Sequence, residues 1–344
     1  MQYDLKSKTP AQLKELVESL GGKGFLAKYL FSFIHTKNVR DINEIAPVSK
    51  SLREKLVNDG WGISCPQIIE KFEDSDGTVK YLFEFDDGVR VEAVLLIDGD
   101  RKTICISTQI GCTLACEFCA TGKMKFKRNL SSGEIVSQVY AIESDSGKIN
   151  NVVYMGMGEP FLNYDATMDS VRILNNADGR NVGIRHITVS TCGLANKIEK
   201  FSEEDIAPRL AISLHAADDT TRNILMPINK KFPLKRLSDA IKNYQLNTGN
   251  RVTFEYIMIK GINDTPRHAE SLIKYLRPFK CNVNLIEYNR HSGCEYEPSS
   301  RNALNRFADY LRDEGIETVI RFKRGQNIKA ACGQLGADWL EKKD

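Results

Sequence analysis

Three cysteines in the segment GCTLACEFCATGK, namely Cys112, Cys116 and Cys119, have a spacing that could hold a metal cluster. No fourth cysteine follows nearby, whereas a structural zinc site is closed by four protein ligands and iron–sulfur clusters are held by thiolates. Three thiolates on a four-iron cubane leave one iron with an open position, which can bind and activate a small molecule. The spacing therefore predicts a [4Fe–4S] cluster with one open position. A zinc knuckle lacking its fourth ligand, a chance cluster and a disulfide pair are the alternatives.

Further polar residues stand just after predicted strands, where they could contact a ligand. In MGMGEP, Gly158 would let the backbone approach a ligand closely, and Glu159 could accept a hydrogen bond from an ammonium group or a ribose. The alternative is a tight turn without a ligand. Side chains after later strands could bind a carboxylate, a ribose or an adenine, or could have only a structural role. They are Ser190 in VSTCG, Ser213, Leu214 and His215 in ISLHA, and Asn289 in IEYN.

Two isolated cysteines and one carboxylate could supply reactive groups. Cys332 lies among small residues in AACGQL, and its thiolate could be a nucleophile if neighbouring charge lowers its pKa. Cys105 lies in ICIST, shortly before the three cysteines. Glu92, in the apolar run VRVEAVLL, is either an outward-facing strand residue or a general base whose pKa is raised by burial. We interpret Cys192 as a packing residue.

Alternating strands and helices must position these residues. The apolar runs NVVYMGM, HITVSTCG, RLAISLHA, RVTFEYIMI and NVNLIEYN are separated by helical patterns, which indicates a parallel sheet with right-handed crossovers. Polar residues after each strand fit an α/β fold, a partial (β/α)6 TIM-type barrel with its site at the C-terminal rim. The predicted domains are a helical accessory domain (1–65), a β-hairpin extension with Asp-Gly turns (66–97), the barrel (98–325), and a cysteine-bearing C-terminal loop and tail (326–344).

Composition places the chain among ordinary globular proteins of a reducing compartment. It has 344 residues, of which 42% are hydrophobic and 27% charged, and a net charge of +3. Nine cysteines without a regular framework argue against a secreted disulfide scaffold. No signal peptide or membrane span is predicted, so we expect a cytoplasmic protein. Basic residues near the predicted barrel mouth favour a phosphate-backbone partner; they are Lys123, Lys125, Lys127, Arg128, Arg321, Lys323 and Arg324.

The cysteine spacing is similar to that of radical S-adenosylmethionine (SAM) enzymes, in which the open iron binds the amino and carboxylate groups of SAM. Over nearly its whole length, the chain resembles the RlmN/Cfr family of radical SAM RNA methyltransferases. The matching features are Glu92, Cys105, GC at 111–112, CEFCATG, MGMGEP, STCG, SLHA, MPIN, GIND and AACGQL. The loop IEYNRHSGCEYEPSS departs from the proline-rich run usual in the family, so its role stays open.

The resemblance implies two cofactors, one [4Fe–4S] cluster on the three cysteines and SAM on the strand-end residues named above. One SAM would methylate Cys332, and a second would be cleaved to a radical that takes hydrogen from the methylthio group. The resulting carbon radical would add to an adenine, which gives a protein–RNA crosslink. Glu92 would then remove the ring proton, and attack of Cys105 on Cys332 would release the product and leave a disulfide.

The resemblance also implies substrates and partners. RlmN enzymes methylate C2 of an adenosine in 23S rRNA, and some also modify a tRNA, whereas Cfr enzymes methylate C8 of the same rRNA base and confer antibiotic resistance. Pro160 in MGMGEP follows the RlmN pattern, which favours C2. An external reductant such as flavodoxin or ferredoxin and a monomeric state are expected. A non-catalytic iron–sulfur RNA-binding protein is a third hypothesis, but it gives no role to Glu92, Cys105 or Cys332.

Overall fold

The computed structural model describes residues 2–321 and 323–341, so the outermost residues of the first and last predicted domains lie outside it. The N-terminal part is a small helical unit. Thr9 caps its first helix in a capping box with Gln12, and Pro10 occupies the first helical position, where its missing amide proton costs no hydrogen bond. The elements here are β1 (Tyr3–Asp4), α1 (Pro10–Ser19), α2 (Leu26–His35), α3 (Lys50–Asn58) and β2 (Trp61–Gly62).

An antiparallel segment follows, built from β3 (Gln67–Glu73), β4 (Val79–Glu84) and β5 (Arg90–Asp98). The predicted Asp-Gly turns are present, and Gly77 and Gly88 take the left-handed conformation with φ of 80° and 73°. The next strand, β6 (Arg101–Cys105), pairs antiparallel with β5 and parallel with β9 (Asn151–Tyr154). The extension is therefore continuous with the barrel sheet, and it covers an edge that would otherwise be open.

The remaining strands are β7 (Gln109–Ile110), β8 (Arg128–Asn129), β9 (Asn151–Tyr154), β10 (Ile187–Thr191), β11 (Arg209–Ser213), β12 (Val252–Met258), β13 (Cys281–Glu287) and β14 (Thr318–Arg321). β7 and β8 form a separate pair, whereas the others continue the same sheet, which has ten strands in the order β14-β13-β12-β11-β10-β9-β6-β5-β4-β3. Seven of its strands, β6 and β9 to β14, are mutually parallel, one more than the six predicted units. The predicted α/β partial barrel is confirmed.

Helices alternate with these strands and cover the sheet, as parallel strands require. The core of the barrel is apolar, and Tyr154, Val189, Ile212 and Phe254 are fully buried. In the described ranges no helix has both the length and the apolar character needed to cross a bilayer. The helices are α4 (Ala120–Lys123), α5 (Ser132–Ser146), α6 (Tyr164–Asn175), α7 (Ala195–Phe201), α8 (Asp219–Leu225), α9 (Leu234–Thr248), α10 (Pro266–Leu276), α11 (Arg301–Asp313) and α12 (Ala337–Glu341).

Candidate active site

The three clustered cysteines lie on a loop between β7 and β8, which we call the cysteine loop (111–127). Gly111, with φ of 75°, opens it, and a Cβ atom there would lie 2.5 Å from the Lys125 carbonyl oxygen. Only glycine fits this close approach. The loop closes where the Lys127 amide donates to the Ile110 carbonyl at 2.8 Å. The loop thus begins and ends at the carboxyl side of β7, next to the barrel mouth.

Backbone hydrogen bonds hold the cysteines at fixed places on this loop. The Cys119 amide donates to the Cys116 carbonyl at 3.1 Å, and the Gly122 amide to the Cys119 carbonyl at 3.0 Å. Burial raises the pKa of the Cys112 thiol to about 12 and that of the Cys119 thiol to about 11, and repulsion from Cys116 contributes to both. Three thiolates are unfavourable here without a cation, and a bound metal would stabilise them.

The donor set fits a cluster better than a single ion. In the described part of the chain no three His, Cys, Asp or Glu side chains converge closely enough to hold one metal ion. The cysteine loop offers three thiols, which is the ligand type of iron–sulfur clusters, whereas a structural zinc site is closed by four protein ligands. The donor set therefore fits the [4Fe–4S] cluster predicted from the spacing.

The glycine-rich turn after β9 packs directly against the start of the cysteine loop. Gly158 has φ of 93°, and a Cβ atom there would lie 2.4 Å from Cβ of Gln109. Glu159 is buried, and its carboxylate accepts from the amides of Phe161 (3.1 Å) and Cys192 (2.8 Å). Burial raises the pKa of this carboxyl and these hydrogen bonds oppose the rise. Glu159 thus orders its own turn and the end of β10, and its role toward a ligand stays a prediction.

The strand-end residues predicted for cofactor binding come together at β10 and β11. The Ser190 and Ser213 hydroxyl oxygens are 3.4 Å apart on these neighbouring strands. Leu214 is fully buried, and its amide donates to the Glu255 carbonyl at 3.0 Å. The two serines can therefore share one ligand group, whereas the side chain of Leu214 faces the core and only its backbone could contact a ligand.

His215 is held in a defined protonation state. The Ile257 amide donates to its Nδ1 atom at 3.1 Å, so Nδ1 carries no proton. Burial lowers the pKa of His215 to about 3, and the positive charge of Arg222 adds to this effect. The ring is neutral with its proton on Nε2, which makes it a hydrogen-bond donor. Its ring also meets Phe118 of the cysteine loop edge-on, with 4.8 Å between centroids.

Arg222 is a buried residue of this site that sequence reasoning missed. Its side chain has no solvent exposure and donates four hydrogen bonds. Three acceptors are the carbonyls of Cys192, Ser213 and Leu214, which follow or end β10 and β11. The fourth is Oδ1 of Asn229, in the segment MPIN. Arg222 therefore joins two strand ends beneath the predicted cofactor site. A lone arginine in a sequence gives no sign of such burial.

The C-terminal loop (326–336) lies across the cysteine loop. The Ala120 amide donates to the Gly333 carbonyl at 2.8 Å, and the Thr121 hydroxyl donates to the Leu335 carbonyl at 2.7 Å. Asn289, after β13, donates from Nδ2 to the Cys332 carbonyl at 3.2 Å. Asn289 thus contacts the cysteine-bearing loop, a role that the sequence did not suggest, and its predicted contact with a cofactor stays a prediction.

This arrangement brings Cys105 and Cys332 within electrostatic reach of each other, although 226 residues separate them in the sequence. Both are free thiols. Burial raises the pKa of Cys105, and a thiolate at Cys332 raises it further. Cys332 is exposed to solvent, yet partial desolvation of its thiol raises its pKa, with repulsion from Glu255 adding to the rise.

Glu92 is buried within β5 rather than facing outward, and it contacts both a lysine and the C-terminal loop. Its carboxylate lies 2.9 Å from Nζ of Lys80, and it accepts from the Gly336 amide at 2.7 Å. Burial raises the pKa of Glu92, while the charge of Lys80 and the Gly336 hydrogen bond lower it. Lys80 in turn contacts Asp338 at 2.7 Å. Glu92 is therefore a buried ionisable carboxyl in direct contact with the C-terminal loop, which carries Cys332.

The basic residues near the mouth differ in whether they are paired. Within residues 2–321 and 323–341, Lys125 and Lys127 are exposed and form no ion pair, so they remain available to an anion. Four other basic residues of the two predicted runs are neutralised by carboxylates. These pairs are Lys123 with Glu117, Arg128 with Asp87 and Glu134, Lys323 with Glu287, and Arg324 with Asp98.

Comparison with known proteins agrees with this geometry. Residues 106–273 match the family model of the radical SAM superfamily, and residues 3–59 match the N-terminal domain of the ribosomal RNA large subunit methyltransferase. A probable dual-specificity RNA methyltransferase RlmN from a Thermoanaerobacter strain is 40% identical over 342 residues, which cover 99% of this chain and 100% of that protein. This chain belongs to the RlmN family. Its fold, its methyltransferase activity and its use of a [4Fe–4S] cluster and SAM follow from that membership.

Other relatives support the RlmN assignment. A protein of the same name from Staphylococcus aureus is 42% identical over 326 residues, or 94% of this chain and 89% of that protein. The crystal structure of a radical SAM methyltransferase from Sphaerobacter thermophilus superimposes with a TM-score of 0.90 and 40% identity, covering 97% of this chain and 99% of that one. The hydrogenase maturase HydG of Carboxydothermus hydrogenoformans, at 14% identity and a TM-score of 0.51, covers 68% of this chain and 57% of that one and shares the fold alone.

Proposed function

We propose that this enzyme methylates C2 of an adenosine in 23S rRNA, and that a tRNA adenosine is a second substrate. The observation that carries the proposal is the position of the C-terminal loop, which carries Cys332, lies across the cysteine loop and donates its Gly336 amide to Glu92. Cys332 also lies within electrostatic range of Cys105. The relatives named as dual-specificity RNA methyltransferases support the choice of RNA. Pro160, which follows Glu159 in the glycine-rich turn, supports C2 over the C8 position of the Cfr type.

Cys112, Cys116 and Cys119 would hold the cluster, and Gly158, Glu159, Ser190, Ser213, Leu214, His215 and Asn289 would line the SAM site. When bound, the cluster would supply one electron for the cleavage of SAM, drawn from an external donor such as flavodoxin or ferredoxin. The neutral His215, with its proton on Nε2, would act as a donor. The adjacent hydroxyls of Ser190 and Ser213 would bind a polar group of SAM. We further propose that the enzyme acts as a monomer in the cytoplasm.

Cys332 and the side chains near it would carry out the transfer of the carbon, the removal of the ring proton and the release of the product. Cys332 would carry the methyl carbon on its sulfur and join it to the adenine ring, which is too electron-poor at C2 to attack a methyl sulfonium itself. Glu92 would take the proton from the ring carbon, and the one electron that the adduct must also lose would be accepted by the cluster. The thiolate of Cys105 would then attack the Cys332 sulfur, so that an S–S bond forms, the S–CH2 bond breaks, and its electron pair is protonated to leave a methyl group.

Mass spectrometry of nucleosides from 23S rRNA tests this function. We expect 2-methyladenosine to appear after anaerobic incubation of the reconstituted enzyme with SAM, a reductant and rRNA lacking the modification. The Cys332→Ala variant should form none while keeping its cluster, and Cys281→Ala, altered at the opposite end of a barrel strand, should behave like the unchanged enzyme. Formation of 8-methyladenosine would contradict the C2 assignment. RNA binding without any methylated product from the unchanged enzyme would contradict catalysis.

Replacing Lys80 with methionine should move the pH dependence of the methyl transfer. Glu92 must be ionised to accept a proton, so activity should fall as the pH decreases through its pKa. Lys80 holds that pKa down. In Lys80→Met we therefore expect the acid limb of the pH–rate profile to move upward by about 1–3 pH units. Single-turnover rates measured across pH check this.

The control for this prediction is Lys71→Met, which removes a partly exposed lysine of the neighbouring strand β3. Lys71 contacts Glu73 and Asp145 rather than Glu92. Its replacement should leave the acid limb in place. An acid limb that also stays in place for Lys80→Met would show that Glu92 does not accept the proton that limits the reaction.

A further inference from the structure

A groove outside the residues assigned above opens between the end of the cysteine loop and the last helix. It has a volume of about 410 Å³ and is lined by Met124, Lys125, Lys127, Trp339 and Leu340, together with residues at the start of β5 and in β7. This volume falls within the range of small-ligand sites, which runs from about 300 to 1,000 Å³. The groove combines an accessible indole ring with cationic side chains.

The two lysines of the groove stand on one side of an extended segment. Lys125 and Lys127 are exposed, whereas Met124 and Phe126 beside them are half-buried. Alternate residues of an extended chain point the same way, so both ammonium groups face the groove together. Neither forms an ion pair within residues 2–321 and 323–341. Two unpaired cations on one rim suit an anion such as a phosphate.

The groove adjoins the proposed reaction site. Met124, in its wall, packs so closely on Gly336 that a Cβ atom there would lie 2.2 Å from the methionine sulfur. The Gly336 amide is the one that donates to the Glu92 carboxylate at 2.7 Å. Trp339 lies on α12, three residues after Gly336, and its amide donates to the Gly336 carbonyl at 3.1 Å. A lining residue of the groove and Gly336 therefore connect a ligand in the groove to the proposed base.

We propose that this groove binds the nucleotide next to the reacting adenosine, with its base stacked on Trp339 and its phosphate between Lys125 and Lys127. The inference rests on the proposed function and adds a subsite that positions the RNA. Bases stack on exposed aromatic rings regardless of sequence, and lysines neutralise the backbone phosphate that joins two nucleotides. Holding the neighbouring nucleotide outside the barrel would help the base of the reacting adenosine to turn inward, toward Cys332 and Glu92.

A protein partner is the other class of occupant for cationic surfaces near a redox site, since an acidic electron donor could use the lysines. The observations favour the nucleotide for two reasons. The groove accommodates one flat group beside an indole ring, whereas protein–protein contacts bury about 800 Å² on each partner. The groove also adjoins Glu92, to which an electron donor has no need to come close.

Tryptophan fluorescence of the holoenzyme gives the first test, because the chain has two tryptophans. The probe is a short single-stranded RNA with a central adenosine flanked by uridines. We expect quenching in Trp61→Phe, which keeps Trp339, and none in Trp339→Phe, which keeps Trp61 against Tyr3. Trp339→Ala should weaken RNA binding about tenfold, and Trp339→Phe less, because a phenyl ring still stacks.

Salt dependence of the affinity gives the second test. The double variant Lys125→Gln/Lys127→Gln should reduce the slope of log affinity against log salt by about 0.7 to 1.4, as expected for one or two lost phosphate contacts on a single strand. Lys242→Gln, an exposed lysine on α9, should leave the slope unchanged. Cluster absorbance and circular dichroism equal to those of the unchanged enzyme confirm that each variant is folded.

The outcomes separate this inference from the function on which it rests. Unchanged RNA affinity and salt slope in these variants, with normal 2-methyladenosine formation, would show that the groove does not bind the neighbouring nucleotide. The proposed methylation would be unaffected by that result. Unchanged RNA affinity with slower cluster reduction by flavodoxin, but not by dithionite, would also overturn it and assign the groove to the electron donor. Quenching and weakened binding as expected, without methylated product from the unchanged enzyme, would keep the subsite and refute the proposed reaction.

Discussion

Replacing Cys105 with alanine should convert turnover into accumulation of a covalent protein–RNA adduct at Cys332, with up to one RNA held by each chain. In the proposed sequence of steps, Cys105 is the thiol that attacks the Cys332 sulfur and frees the methylated base. Without it the S–CH2 bond has no thiol partner and persists. Denaturing gel electrophoresis of an anaerobic reaction with labelled RNA should show the adduct, and peptide mass spectrometry should place it on Cys332.

The electrostatics of the pair favour attack by Cys105 after the Cys332 sulfur has been alkylated. Burial is the larger cause of the raised pKa of Cys105, and a thiolate at Cys332 raises it further. A sulfur bonded to carbon carries no negative charge, so the adduct removes this second contribution. Burial persists, so the adduct makes the Cys105 thiolate easier to form only in part.

Two variants make this expectation decisive. Cys105→Ala/Cys332→Ala should form no adduct, because the sulfur that carries the carbon is missing. Cys281→Ala, in which a half-buried cysteine at the start of β13 is replaced, should turn over normally. Ordinary turnover with free RNA in Cys105→Ala would contradict the assigned role of Cys105 and the disulfide step with it.

Local signals in the sequence were sufficient for several elements and for the loop that carries the three clustered cysteines. Thr9 and Pro10 mark a helix start because the cap is made within three residues. The Asp-Gly pairs mark turns because glycine takes the positive φ that these turns need. Cys112, Cys116 and Cys119 share one loop, so their spacing alone predicts their proximity. Each of these inferences depends on residues close together in the chain.

Contacts between distant segments were not predictable in the same way. The position of Glu92 depends on Gly336, which is 244 residues away, and on Lys80 across a strand pair. Asn289 contacts the loop that carries Cys332, and its place after β13 gives no sign of that contact. The hydrogen bonds between β5 and β6 that join the extension to the barrel also cannot be predicted from the sequence of either strand alone. These features depend on tertiary packing.

Replacing Arg222 with methionine should destabilise the protein by about 3 kcal/mol, because it removes four hydrogen bonds from a fully buried charged group and leaves acceptors short of donors. Desolvation lowers the pKa of this guanidinium, but it stays protonated, and Asn229 links it to the Asp219 carboxylate through a 2.8 Å hydrogen bond. Urea denaturation under anaerobic, reducing conditions measures the change in the free energy of unfolding.

Arg236→Met is the matched control for this prediction. Arg236 forms an ion pair with Glu199 on the outer surface, where 40% of its side chain is exposed. Exposed pairs of this kind contribute about 0–1 kcal/mol, so the control should change the unfolding free energy little. Equal effects of the two substitutions would contradict the role given to Arg222.

A second readout separates a positioning role of Arg222 from a purely structural one. Arg222 binds the carbonyls of Cys192 and Ser213, which lie at the carboxyl ends of β10 and β11. Its loss should let these ends separate, and with them the hydroxyls of Ser190 and Ser213 that are proposed to bind SAM. We therefore expect Arg222→Met to weaken SAM binding at temperatures where the variant is still folded, whereas Arg236→Met should not. Unchanged SAM affinity in a destabilised Arg222→Met would restrict Arg222 to the stability of the fold.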